Sequence, residues 1–158
     1  ATQADLEAQF TFLREIRDQV SEVHREIKAI REVREQLTAL RKRLPKESPL
    51  RKRSRELDRA LTAVEEALYQ TKNRSEQDPL NFPIRLNDKL VAVGSSAAAG
   101  DHAPTAQQLA VKGELAAAID AQLAKLQEIW EKDLPAFNRQ VLESGLAAVV
   151  RSPDPQPK

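Results

Sequence analysis

The chain has 158 residues, with 31% charged residues, 41% in the hydrophobic set, four glycines, 4% aromatics and no cysteine. That balance suits a long-helix protein of one domain rather than a sheet. The missing thiols exclude disulfides, thiolate metal sites and cysteine nucleophiles, and a net charge of +1 gives no bulk attraction to nucleic acid or an anionic membrane.

The first segment runs from about residue 3 to 44. Leu6, Leu13, Val20 and Ile27 recur every seven residues, and Ile16, Val23, Ile30, Leu37 and Leu44 recur three residues out of phase. Together they form an a/d seam, widened by Phe10, Val33 and Leu40. "TQAD" at 2–5 is a capping box with Thr2 as N-cap. Arg41, Lys42 and Arg43 complement the C-terminal end of the helix dipole, and Pro45 stops the helix.

"KESPL" starts the second segment, 49–71, with Ser48 as N-cap and Pro49 as its first residue. Leu50, Leu57, Leu61, Val64 and Leu68 carry its stripe. The short connection predicts an antiparallel hairpin. The third segment, 83–99, places Leu86, Leu90, Val93 and Ala97 on one side, with Gly100 as its stop. Thr105 and Gln108 form a second capping box. The fourth segment, 105–143, carries Leu115, Ile119, Leu123, Leu126, Trp130, Leu134, Phe137 and Val141, with a kink or break near Pro135. Residues 151–158 form a Pro-rich tail. The longest apolar runs, such as "GLAAVV" at 145–150, are far too short to span a bilayer.

The first and fourth segments match in length, and the two short ones match them when added end to end. The expected fold is therefore all-α: a single bundle domain over 1–150, elongated and antiparallel, with three columns running up-down-up and the middle column broken. A four-helix bundle, with the third segment folded back beside the second, is the alternative.

Site chemistry is sparse. His24 and His102 lack a carboxylate or second histidine at metal-ligand spacing. Glu65 and Glu66 point about 100° apart on a helix and make no carboxylate pair by themselves. No phosphate loop, nucleophile elbow or zinc-protease motif is present. No cofactor, metal or catalytic residue is expected. The strongest signal is "RKRLPKESPLRKRSR" at 41–55, which carries a net +7 and leaves −6 for the rest. Arg41, Lys42, Arg43, Arg51, Lys52 and Arg53 are its interaction candidates. Arg51, Lys52 and Arg53 oppose the dipole of the segment they begin. Without aromatic platforms for bases, the cluster points to an acidic protein partner and away from nucleic acid. The seam of the first segment also leaves homo-oligomeric pairing open.

Between the second and third segments lies a polar, turn-forming insert. Asn73, Asp78 and Asn81 suit backbone-bonded turns, Arg74 can pair with a neighbouring acid, and Pro79 and Pro83 restrict the residues before them. The stretch "LYQTKNRSEQDPLNFPIRLNDKL", followed by "GDHAPTAQ", resembles the C-terminal helical region of bacterial BNR-repeat, sortilin-like β-propeller proteins, often labelled glycosyl-hydrolase-like. "ADLEAQF" at 4–10 and "DLPAFN" at 133–138 share the resemblance, which covers most of the chain in order. It implies export to the periplasm or outside the cell, and a propeller upstream; the residues themselves leave cytoplasmic residence open. No activity of the helical region comes with it. The expected function is a non-catalytic interaction or structural module that packs on a propeller of its parent chain or mediates assembly. The alternative is a ligand-binding or catalytic accessory domain that uses the 69–90 loop.

Overall fold

A computed structural model describes residues 1–69 and 85–153. Its helices are α1 (Gln3–Arg43), α2 (Pro49–Leu68), α3 (Leu86–Ala97), α4 (Ala106–Glu128) and α5 (Leu134–Glu143), with a π-helical turn at Ile129–Asp133 between the last two. The described residues contain no strand. The fold is an all-α helical bundle. The chain divides into two compact units, Ala1–His24 with Glu66–Gln122, and Arg25–Glu65 with Leu123–Lys158.

In the first unit, the N-terminal part of α1 packs with α3 and the first part of α4. Its cap is reciprocal: the Asp5 amide donates to Thr2 Oγ1 at 3.1 Å, and the Thr2 amide donates to Asp5 Oδ2 at 2.8 Å. Those bonds from Thr2 hold the Asp5 carboxyl below the ordinary carboxylate value. Thr105 and Gln108 repeat the device at the start of α4. α3 turns Asn87, Leu90, Gly94 and Ala97 inward. A Cβ at Gly94 would lie 3.3 Å from Ile16 Cγ2, so glycine lets the two helices approach. α3 ends at Ala97, three residues before the expected stop at Gly100, which has no left-handed backbone. Its end is capped from outside, because Gln9 Nε2 donates to the carbonyls of Ala97 and Gly100.

The expected seam fails at the start of α1. Leu6 is 44% exposed and Phe10 63%, whereas Phe12, off the predicted seam, is buried with Ile16 and Val23. Within the first unit, the inward side of these turns carries Gln9 and Phe12, with Gln9 bonded to the end of α3, so Leu6 and Phe10 fall on the outward side. A seam position turned away from the neighbouring helix stays in water.

In the second unit, Ile27, Ile30, Val33, Leu37, Leu40 and Leu44 of α1 are buried with Leu50, Leu57, Leu61 and Val64 of α2. Leu126, Ile129, Trp130, Leu134, Phe137 and Val141 complete the core. Leu123 is half-buried, so it lies at the margin of the stripe. The break expected near Pro135 is the π turn: the Leu134 amide bonds Ile129 O, five residues back. Proline can neither donate to the carbonyl four residues back nor fit its ring beside it, and the widened turn precedes it. α5 closes with the glycine cap absent from α3. Gly145 has φ 84, the Leu146 amide bonds Val141 O, and the Gly145 amide bonds Leu142 O, which is a Schellman pair.

Beyond that cap the chain is gripped by two side-chain amides. Asn138 donates to Val149 O at 2.7 Å and accepts from the Val149 amide at 2.8 Å. Gln36 does the same to Val150, at 2.7 and 2.9 Å. Arg151, expected to begin the tail, donates to Glu26 Oε1 at 2.9 Å.

Candidate functional site

The basic run folds into the corner between α1 and α2, and its cations divide into two populations. Arg41 turns inward, donating to Asp58 at 2.8 Å, Ser54 at 3.1 Å and Thr38 at 3.1 Å. It is one end of a chain of charges along the α1–α2 contact. Arg34 bonds Asp58 at 2.7 Å and Glu65 at 3.0 Å, and Arg31 bonds Glu65 at 2.6 Å. Burial works to raise the Asp58 carboxyl, but the hydrogen bonds and charges of Arg34 and Arg41 prevail and hold it below its ordinary value. Glu65 is 3% exposed, which requires such partners. Glu65 is enclosed, whereas Glu66 faces water.

Arg51 has a local task. Its guanidinium donates to Leu44 O at 3.4 Å, covering a carbonyl just past the end of α1. This accounts for one of the three cations that oppose the α2 dipole. Lys42, Arg43, Lys52 and Arg53 are exposed, as are Lys46, Arg55 and Arg59, which lie outside the six interaction candidates. Among the described residues none of these seven has an ion pair, and only Glu47 and Glu56 are exposed acids within 42–59. Lys52, Arg55 and Arg59 follow steps of three and four, which places them on one outward face of α2.

Beside this face a groove of about 210 Å³ is lined by Arg53, Glu56, Leu57, Ala60, Asp133, Ala136 and Phe137. Its floor is apolar and its rim carries both signs of charge, a form suited to one side chain of a partner rather than to reaction chemistry.

The remaining sequence candidates fall elsewhere. Asn73, Arg74, Asp78 and Asn81 lie outside the described residues, as does the 70–84 part of the insert. His24 Nε2 is 3.1 Å from the amide nitrogen of Asn87, and its ring meets Tyr69 edge-on at 6.2 Å. His102 Nδ1 lies 2.8 Å from Ala103 O. Among the described residues no group of three His, Asp or Glu side chains could hold a metal ion, and no helix is long and apolar enough to cross a membrane. Asn87 was missed: the signal for its burial was its place three residues before the stripe residue Leu90. Comparison of the chain with protein-family models, curated proteins and solved structures finds no match.

Proposed function

We propose that this chain is a non-catalytic helical interaction module whose basic corner docks on an acidic protein surface. The observation that carries the reading is the set of seven exposed cations at 42–59 that have no ion pair among the described residues, beside inward-turned Arg41 and Arg51. Cations that stabilise the fold are engaged; these are left for a partner. Following the resemblance of the 68–90 stretch, the partner is a β-propeller of the same exported parent chain, and the setting is periplasmic or extracellular. The lack of stacking platforms in the corner favours protein over nucleic acid.

Calorimetric titration of the full chain with that propeller tests the reading. Binding should weaken between low and physiological salt, where the screening length shrinks to about 8 Å. It should be lost in a Lys52→Glu/Arg55→Glu/Arg59→Glu variant whose helix content is unchanged. Tight binding to generic duplex DNA at physiological salt, or propeller binding indifferent to the triple variant, would overturn it.

A further inference from the structure

The exposed start of α1 carries a second surface, independent of the basic corner. Gln3, Leu6, Phe10, Arg14 and Arg17 recur at steps of three and four and are all exposed, with Glu7 at the margin. Leu6 and Phe10 are the apolar centre of this stripe, and a hollow of about 420 Å³ lined by Gln3, Leu6, Glu7, Phe10 and Thr11 adjoins them. Among the described residues Glu7 accepts only from Gln3, at 2.9 Å, and Arg14 lies over the Phe10 ring at 5.8 Å. Neither has an ion pair among the described residues.

We propose that this face pairs with the same face of a second copy of the chain, antiparallel, about a two-fold axis at Phe10. The placement of charge selects both occupant and direction. At 1.5 Å per residue, Glu7 lies about 4.5 Å to one side of Phe10 and Arg14 about 6 Å to the other. Reversing the second helix brings its Arg14 within about 1.5 Å of Glu7 along the axis, and symmetry makes the contact twice. Parallel pairing sets Glu7 against Glu7 and Arg14 against Arg14, which repel. Side chains on a helix lean toward its N-terminus, so in the reversed pair the two Phe10 rings lean apart and lie side by side. Leu6 then packs on the aliphatic stem of the opposing Arg14.

The contact is small, so association is weak and concentration-dependent. Sedimentation equilibrium of the full chain from about 5 to about 500 μM spans the range for such a dimer. The weight-average mass should climb from one chain toward two. Phe10→Asp should hold it at one chain throughout with an unchanged circular dichroism spectrum, because the residue is exposed in the monomer. Glu7→Arg and Arg14→Glu should each weaken association by about ten-fold or more, since each places like charges together twice. The Glu7→Arg/Arg14→Glu double variant should recover to within about three-fold of the parent, because only antiparallel pairing restores opposite signs. A parent chain that stays monomeric at every concentration overturns the proposal. So does a dimer that survives Phe10→Asp, or one that the double exchange does not restore.

Discussion

Trp130 and Glu26 are joined by an indole Nε1–H bond to Glu26 Oε2 of 3.0 Å, and the other carboxylate oxygen is taken by Arg151. The circuit closes on itself, because the Arg151 guanidinium lies 5.3 Å from the centre of the Trp130 ring. Trp130→Phe keeps most of the ring volume and removes the donor. It should cost about 1–3 kcal/mol, the range for losing a hydrogen bond to a charged, part-buried acceptor. Urea unfolding checks this, and hydrogen exchange should show faster release of the Val149 and Val150 amides in Arg151→Ala.

Asp58 makes stability depend on pH in one direction. Its carboxyl is depressed in the folded chain, despite burial, by Arg34 and Arg41, so the unfolded state binds its proton first as pH falls. The contribution is complete above the unfolded value of about 3.9 and is lost as pH drops through the lower folded value. The stability gap between the parent chain and Asp58→Asn should therefore be widest near neutrality and close in acid. Denaturation midpoints of both proteins from neutral pH to about pH 2 measure it. A gap that widened in acid would remove Asp58 from this role.

Two glycines in helices should respond oppositely to added side chains. Gly113 has open space around its missing Cβ, so Gly113→Ala should stabilise by about 0.5–1 kcal/mol through helix propensity. At Gly94 a Cβ already presses on Ile16, and the two further methyl groups of Gly94→Val should cost about 1–3 kcal/mol by overpacking. Thermal unfolding of the pair separates the effects.

The phase of the fourth segment can be measured by paired truncations. Leu126 is 1% exposed and Leu123 only half-buried. Leu126→Ala should cost about 2–5 kcal/mol, and Leu123→Ala distinctly less. Equal losses would mean that both face the core alike.

What could be foreseen from sequence follows the range of each interaction. The boxes at Thr2–Asp5 and Thr105–Gln108 formed as expected, because every participant lies within four residues. The buried run from Ile16 to Leu44 was legible because a helix supplies the spacing and a core rewards it. Leu6 and Phe10 follow the same spacing but sit on the outward side of turns whose inward side carries Gln9 and Phe12, and spacing alone does not say which side is covered. The Arg31–Glu65–Arg34–Asp58–Arg41 chain looked like ordinary surface charge. A trace of it was present, since Ser54, Asp58 and Glu65 fall on the side of α2 that carries Leu61. Of the candidate cations, proximity to a helix end accounts for Arg51, but nothing local distinguishes inward Arg41 from outward Lys42. The Schellman cap at Gly145 went unforeseen for a different reason. Gly100 and Gly145 both follow helical runs, and only the three-dimensional course of the chain decides which one is left-handed.

The double amide grip on Val149 and Val150 has a consequence for how this region tolerates change. Asn138 and Gln36 hold peptide groups, not side chains, so the contact is blind to most of what residue 150 presents, and Val150 is 60% exposed. Position 150 should accept small, charged or aromatic replacements with little loss, and should reject proline alone, which has no N–H to give. In an unbiased substitution screen this site would look nearly neutral while being structurally indispensable: the selective pressure rests on Gln36, more than a hundred residues away.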